Sequence, residues 1–447
     1  MIGKRLNRRR LVQGGAGLAT AAAASSTFAV PMINAQEKAP ILVWTTHTNE
    51  DLDAIQKIVD EFNAQSDTVE ATLERVPGEE TDATQLITAV RGGTGPDVYM
   101  LDRFTVAERA ANGLLQDLTQ LLEDKDFNPD LTQTYIEFAA QEAMYQGSPY
   151  ALPFDADARA LYVNLDLMEE AGVDVSIFDP ANGPTTWDAL KEAAAMVNVE
   201  SASGDIFEQA GFVPWFNQGW HYTYGFSWGA DFFDEENCEV TPNSEEMIAA
   251  AQWVYDYSAE FGPERLAAFV QMNPGAPPTE SPWIQRRLGA VITGDWQIAQ
   301  NANYIPDTNY AITYIPVPEE GMESATWAGG WSWVIPQGAK QPEAAAEFLI
   351  YAAGEPGQRT YTVDTTHLPT VSALMEEDIF TEEHSFFATE LLPVAHSRPP
   401  LPVGAKYWDD LTAAWELIYL NEQEPAEALE EAKNNTMTLL SPLCPIN

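Results

Sequence analysis

The order of apolar and polar positions after residue 39 predicts a repeating strand–helix unit. Residues 40–45 are a short apolar run typical of a buried strand, and residues 50–65 repeat apolar side chains at helical spacing. Residues 69–76 alternate as a second strand, residues 81–90 predict a helix closed by two glycines, and residues 97–101 predict a third strand. This order predicts a parallel sheet with crossover helices, and therefore an α/β domain.

Polar residues follow the first and third predicted strands. In open α/β sheets, ligands bind in the crevice at the carboxyl ends of the strands. The segment from Thr45 to His47 and the pair Asp102–Arg103 are therefore candidate ligand contacts. The alternative for a polar residue at such a position is a helix cap, and it explains Asp102–Arg103 less well than it explains Thr48.

Aromatic residues are concentrated in residues 211–233, where neither a helical nor a strand period fits. The run is consistent with core, with a stacking floor for sugar rings, or with an exposed interaction patch. Residues 294–296 and 327–333 add further tryptophans. Many tryptophans with scattered Asp and Arg suit a carbohydrate, because indoles cover C–H faces and charged planar groups bond hydroxyls. Helices are predicted at 342–361, 407–420 and 425–440.

The composition excludes several classes of protein. The 447 residues include 22 Lys+Arg and 68 Asp+Glu, a formal net charge of −46, which is unsuited to binding nucleic acid. A hydrophobic content of 45% indicates a globular protein. Two cysteines exclude a disulfide scaffold or a cysteine-based metal site, and the five histidines lack metal-ligand spacing. We therefore expect no metal and no cofactor.

The first 35 residues have the three parts of an export signal. Basic residues at 4–10 precede a small, weakly apolar stretch at 11–30 and a small-residue cleavage site before Gln36. The Arg8–Arg10 run resembles a twin-arginine signal, and an ordinary secretory signal is the alternative. No cysteine lies near the cleavage site, so we expect a soluble periplasmic protein without a lipid anchor.

Several stretches, taken together, resemble one known family. They are ILVWTTH, GTGPDVYMLDRFTVAERAANGLLQDLT, YALPFDADARALYVNLDLMEEAGVD, GAVITGDWQIA, WAGGWSWVIPQGAKQPEAAAEFL, HLPT, and RPPLP followed by ALEEA. Their order resembles the extracellular solute-binding proteins of family 1, the sugar-binding receptors of ABC importers. The resemblance covers nearly all of the chain after the signal.

The resemblance implies a type II periplasmic binding protein fold with two α/β lobes, a ligand cleft and three interlobe crossings. We expect residues 36–154 plus 326–370 in lobe 1, and 155–325 plus 371–447 in lobe 2. The expected crossings lie near 154–158, 319–326 and 368–371. The lobes of such a fold close on the ligand about a hinge.

The resemblance also implies ligand contacts. Asp102 and Arg103 match a charged pair that bonds sugar hydroxyls from the first lobe. Asp157, with Asp155 near it, matches a carboxylate at the first crossing, although pairing with Arg159 is the alternative. The remaining implied contacts are Trp296 as a stacking ring, the Gly330–Trp331 loop, Trp44, His47, Tyr224, Trp228 and Arg398.

Cys238 and Cys444 both fall in the second lobe of this assignment, and an oxidising compartment favours a disulfide between them over two free thiols. The resemblance implies a monomeric receptor, without enzymatic activity, that delivers a mono- or oligosaccharide or a polyol to membrane permease subunits. A receptor of the same fold for a polyamine or a phosphorylated polyol remains an alternative. A secreted glycoside hydrolase is another, although two carboxylates on one strand edge hardly flank a single bond.

Overall fold

The computed structural model describes residues 38–78, 81–272 and 276–446, so the predicted export signal lies outside the described residues. The strands, in chain order, are β1 (Ala39–Thr45), β2 (Val69–Arg75), β3 (Val98–Asp102), β4 (Met144–Tyr145), β5 (Ser148–Pro149), β6 (Ala151–Pro153), β7 (Asp155–Asn164), β8 (Val199–Glu200), β9 (Phe207–Gln209), β10 (Phe233–Asp234), β11 (Glu239–Val240), β12 (Ala290–Gly294), β13 (Tyr310–Thr313), β14 (Thr326–Gly329), β15 (Trp331–Val334), β16 (Leu368–Pro369) and β17 (Ala395–Ser397).

The α-helices alternate with these strands along most of the chain. In chain order they are α1 (Asn49–Gln65), α2 (Thr84–Arg91), α3 (Val106–Ala111), α4 (Thr119–Glu123), α5 (Glu137–Glu142), α6 (Leu165–Glu170), α7 (Trp187–Val197), α8 (His221–Ser227), α9 (Glu245–Phe261), α10 (Pro263–Val270), α11 (Trp296–Tyr304), α12 (Pro342–Ala352), α13 (Glu355–Thr365), α14 (Glu382–Phe386), α15 (Gly404–Tyr419) and α16 (Pro425–Leu440). None of the helices in the described ranges is long and apolar enough to cross a lipid bilayer.

The first sheet has the strand order β2-β1-β3-β15-β6. Strand β1 pairs in parallel with β2 and β3, as the alternation of strands and helices predicted. Strand β15 lies much later in the sequence and pairs antiparallel with β3 and β6. The carboxyl ends of β1 and β3 therefore meet at one edge, where Thr45 and Asp102 end their strands.

The second sheet is built around β7, whose ten residues are all buried. Four strands pair antiparallel with it. Its first half pairs with β16 and β14, and its second half pairs with β12 on one side and β13 on the other. Strand β17 joins the sheet by pairing in parallel with β14. Because it is buried along its whole length, β7 forms the centre of a second hydrophobic core.

Two separate hydrophobic cores define two halves, which we call the first and second lobes. Phe154 packs in the first core, and Ala156, two residues later, packs in the second. Trp327 belongs to the second core and Trp333 to the first. The chain therefore crosses between the lobes after Phe154, at the β14–β15 junction, and again next to β16.

The positions of the crossings differ in part from the sequence expectation. Strand β14 (Thr326–Gly329) pairs in the second sheet, so the second crossing lies at Gly330 instead of within 319–326. Val371 and Leu374 pack in the first core, beyond the expected boundary at residue 370. Glycine is required at 330, because its φ is +134° and a Cβ would lie 2.2 Å from the carbonyl oxygen of Asp155.

Two predicted segments also differ from their expected form. The single helix expected over 342–361 is two helices, α12 and α13, because Gly354 interrupts it and Pro356 begins a new first turn. The aromatic run at 211–233 contains the short helix α8, and every side chain from His221 to Ser227 is buried. The core interpretation is correct for this part of the run.

The chain's carboxyl-terminal segment is covalently attached to the second lobe. Cys238 and Cys444 form a disulfide, as expected from the compartment argument. Cys444 follows α16, which packs against α15 and β11. The disulfide therefore fixes the tail beside the helices of the second lobe.

Candidate functional site

A cavity of about 610 Å³ lies between the two lobes. Its walls include the segment 46–51 at the start of α1, the end of β3, the Gly330 crossing and, from the second lobe, the starts of α11 and α15. Seven of the residues implicated by the sequence face it, namely His47, Asp102, Asp157, Trp296, Gly330, Trp331 and Arg398. We call this cavity the cleft.

The cleft carries an ion pair between the lobes at Asp102. Arg398 Nη2 donates to Asp102 Oδ1 at 2.8 Å, and Arg398 Nη1 lies 3.4 Å from Asp102 Oδ2. Both side chains are buried, and the guanidinium lies over the ring of Phe104 at 3.7 Å. In a forked pair the guanidinium and the carboxylate share one plane. This fixes the direction in which the polar atoms of Asp102 and Arg398 face the cavity.

A second ion pair joins Asp157 and Arg159 on β7. Arg159 donates Nη1 to Asp157 and Nε to Gln218 Oε1, the latter at 3.1 Å. Its guanidinium lies 3.4 Å from the ring centre of Trp327. Burial favours a higher pKa for Asp157, but Arg159 and neighbouring cations outweigh it and lower the pKa, so this carboxylate is ionised.

Four indoles contribute flat apolar surface to the same cavity. They belong to Trp220, Trp296, Trp331 and Trp408. The ring centres of Trp220 and Trp408 are 5.4 Å apart, and those of Trp331 and His47 are 4.3 Å apart in an edge-to-face arrangement. Burial lowers the pKa of His47 to about 4, so its imidazole is neutral at pH 7. The walls therefore combine aromatic faces with paired charges.

The lobes also touch on both sides of the cavity. Tyr304 at the end of α11 donates its hydroxyl to Glu50 of α1 at 2.6 Å. Thr81 of the first lobe donates to Asp409 of α15 at 3.0 Å. Hydrogen bonds at both rims show that the lobes are in contact across the cleft in this conformation.

Comparison with known proteins identifies the family of this two-lobed chain. The family described as bacterial extracellular solute-binding protein matches residues 45–359, which is more than half of the chain.

The chain belongs to this family of solute-binding proteins.

The relatives of this solute-binding protein are distant in sequence. The galactooligosaccharide-binding protein of Bacillus subtilis (strain 168) is 23% identical over 348 residues, covering 76% of each chain. The maltodextrin-binding protein MdxE of the same organism is 24% identical over 373 residues, covering 82% of this chain and 81% of its own. Each is similar to this chain across most of its length.

A solved structure shows the same architecture. CpMnBP1 with mannotriose bound matches with a TM-score of 0.78 at 22% identity, covering 89% of this chain and 100% of its own. At this identity the likeness shows the fold. The predicted type II periplasmic binding protein fold, with two α/β lobes, is confirmed.

Arg103 does not face the cleft of this solute-binding protein, contrary to the prediction. Its side chain is fully buried, and its Nε pairs with Glu142 at 2.9 Å. Its two terminal nitrogens donate to the carbonyl oxygens of Asp155 and Gly329, at 2.6 and 2.7 Å. Arg103 therefore connects the first crossing to the second, which is a structural role. We call the crossings between the lobes the hinge.

Asp155 and Trp44 are also absent from the cleft wall. Asp155 accepts the backbone N–H of Trp331 at 2.5 Å, so the second crossing covers it. Burial raises the pKa of Asp155 to about 6. Trp44 lies within β1, is buried, and donates to Glu74 at 3.3 Å. Both predicted contacts are corrected by the structure.

Tyr224 lies in the second core and the half-buried Trp228 packs against it, so neither lines the cleft. Tyr224 is fully buried, donates to the carbonyl oxygen of Pro214 at 2.8 Å, and stacks on Trp187 at 4.6 Å. Trp228 stacks on the same Trp187 at 5.6 Å. Within the 211–233 run, Gln218 and Trp220 line the cleft, and Trp220, directly before α8, is the aromatic one.

Sequence reasoning did not assign several cleft residues. Trp408, Asp409 and Thr412 face the cavity from α15, where the i, i+4 spacing of Trp408 and Thr412 places them on one helical face. Arg159 also lines the cavity, although it is not among the ligand contacts that the sequence predicts. His367 also lines the cavity, directly before β16 in the HLPT stretch, and a histidine beside an expected crossing is the sequence signal that points to it.

Proposed function

We propose that this protein is the receptor of an ABC importer and binds a neutral oligosaccharide or polyol in the cleft. The observation that carries the proposal is the composition of the cleft wall, which combines four indoles with two buried ion pairs. Indoles cover the C–H faces of sugar rings, and paired charges present oriented hydrogen-bonding atoms. The relatives' names, which specify galactooligosaccharides and maltodextrin, support the same ligand class.

The pairing of charges favours a neutral ligand over the charged alternatives. Asp102 pairs with Arg398 and Asp157 pairs with Arg159, so neither carboxylate is left to bind a polyamine alone. A phosphorylated polyol requires cationic groups that can compensate its phosphate. In these two pairs the guanidinium charges of Arg398 and Arg159 are already compensated by carboxylates. The proposal further includes export to the periplasm, release without a lipid anchor, action as a monomer, delivery to permease subunits and the absence of catalysis.

A ligand screen tests the proposed function. The purified protein is mixed with maltotriose, mannotriose, xylitol, spermidine or glycerol 3-phosphate, and the melting temperature is recorded. A ligand that binds only the native state at 100 times its Kd adds about 2.7 kcal/mol of stability. We expect a rise with a neutral carbohydrate. A rise with spermidine or glycerol 3-phosphate alone contradicts the neutral-ligand proposal, and release of reducing ends from either trisaccharide contradicts a purely binding function.

The aromatic run provides a matched pair of variants. Trp220→Ala is expected to weaken binding of the carbohydrate found in the screen about 10-fold, or ~1.4 kcal/mol, because one stacking face is lost. Trp228→Ala removes the same side chain from the second core and is expected to lower the melting temperature while the affinity stays within about 2-fold. Isothermal titration gives both affinities. Equal losses of affinity in the two variants would remove Trp220 from the site.

A further inference from the structure

His367 lies where the two lobes meet and belongs to both the cleft wall and the hinge. It follows α13 of the first lobe and directly precedes β16, which pairs with β7. Its ring stacks on Tyr361 of the first lobe at 5.2 Å and on Trp296 of the second lobe at 5.4 Å. One buried imidazole therefore lies between an aromatic ring of each lobe.

Three carboxylates surround this imidazole, and they come from three different parts of the fold. Asp51 lies in the first turn of α1, Asp155 at the first crossing, and Asp295 directly before α11. The atom pairs are His367 Nε2 to Asp51 at 3.6 Å, and His367 Nδ1 to Asp155 and Asp295 at 3.5 and 3.6 Å. The first lobe, the hinge and the second lobe each supply one carboxylate.

The imidazole is a cation at neutral pH. Burial favours a lower pKa for His367, but the three carboxylates outweigh it and raise the pKa to about 10. The other titratable groups that act on it or lie against it are His47, Asp157, Tyr361 and His384. Among these, burial lowers the pKa of His384 to about 3, so that neighbour is neutral.

The contacts of His367 depend on how far apart the lobes are. At 3.5–3.6 Å the carboxylates attract the imidazolium without a close hydrogen bond, and His367 Nδ1 has no hydrogen-bond partner among the described residues. Movement of α11 away from α1 separates Asp295 and Trp296 from Asp51. Burial raises the pKa of Asp295 well above its usual value. Burial also favours a higher pKa for Asp51, but His367 outweighs it and lowers that pKa, so Asp51 is the ionised carboxylate that opening takes away from the imidazolium, and its loss opposes opening.

We propose that His367 is a positioning residue whose positive charge holds the two lobes together and orients Trp296 toward the cleft. This proposal rests on the proposed function only in taking the cleft as the ligand site. The neutral variant His367→Gln keeps a polar side chain of similar size and removes the charge. His367→Lys keeps a charge and provides the conservative rescue.

The test measures the lobe separation without any ligand. Nitroxide labels are placed on exposed positions of opposite lobes with Gln56→Cys in α1 and Asn303→Cys in α11, where the native cysteines are disulfide-bonded and do not react. Pulsed electron resonance gives the distance distribution at pH 7. We expect His367→Gln to increase the population of the longer distances at least five-fold, and His367→Lys to reverse most of that increase.

A matched control is available in the second lobe. His384 is as deeply buried as His367, but it is neutral and does not line the cleft. His384→Gln is therefore expected to leave the distance distribution unchanged. An unchanged distribution in His367→Gln, or the same shift in His384→Gln, overturns the proposal.

The labelled protein provides a second readout that requires no substitution of His367. With a pKa of about 10, the His367 imidazole is charged at neutral pH and loses its charge as the pH rises through about 10. The labelled protein with His367 intact should therefore shift to longer distances as the pH rises through about 10. A flat response overturns the proposal. Because no carbohydrate is added, failure of the ligand screen leaves both results interpretable.

Discussion

Asp102→Ala is expected to weaken carbohydrate binding by about 2–4 kcal/mol, or roughly 30- to 1,000-fold in Kd. The carboxylate faces the cleft and accepts the forked Arg398 guanidinium from the second lobe. Its loss removes a hydrogen-bonding edge of the site. It also removes a buried carboxylate that compensates the Arg398 charge at the cleft wall.

The same substitution at the opposite end of β3 is the control. Asp97 precedes the strand, is buried, and accepts the backbone N–H groups of Leu42, Lys340 and Gln341 at 2.8–3.0 Å. Asp97→Ala is expected to lower stability and to leave Kd within about 2-fold at a temperature where the variant is folded. Isothermal titration measures both variants. An Asp102→Ala protein with wild-type affinity would exclude Asp102 from the site.

Arg103→Met is expected to reduce the free energy of unfolding by about 3–5 kcal/mol, because it leaves the Glu142 carboxylate buried without its cation. Glu142 is 1% exposed, so water cannot replace the lost partner. The variant also leaves the carbonyl oxygens of Asp155 and Gly329 without their donor at the hinge. Urea unfolding measures the loss.

Two further variants show whether the buried charge causes this loss. Lys57→Met breaks the exposed Lys57–Asp364 ion pair and is expected to change stability by less than about 1 kcal/mol. Adding Glu142→Gln to Arg103→Met removes the uncompensated carboxylate and should recover part of the lost stability. A stability loss below about 1 kcal/mol in Arg103→Met is incompatible with the hinge role assigned here.

Arg103 also shows why neighbouring residues at a strand end were hard to assign from sequence. Asp102 is the last residue of β3, and Arg103 begins the turn that follows. Consecutive residues at the end of a strand face opposite sides, so one faces the cleft and the other faces the hinge. The sequence identified the position of the pair, while the local backbone geometry separated the two roles.

Asp157 lines the cleft and Asp155 does not, and the tertiary structure is the reason. Two residues apart on β7, they were expected to face the same way. The chain segment that crosses at Gly330 and Trp331 passes over Asp155 and leaves Asp157 at the cavity. That segment is about 175 residues away in sequence, so only the folded chain shows which aspartate is covered.

The sequence by itself determined the α/β class, the two-lobed fold, the Cys238–Cys444 pairing and seven of the cleft residues. Local periodicity and the strand-end rule supplied the three parallel strands β1 to β3, His47 and Asp102. The oxidising compartment supplied the disulfide, and the family resemblance supplied the rest. The tertiary structure alone decided the partners of the charges: Arg398 pairs with Asp102 across 296 residues, and His367 meets carboxylates of both lobes. Ion pairing depends on the distance between the charges and on their burial, and the local pattern of residues predicts neither.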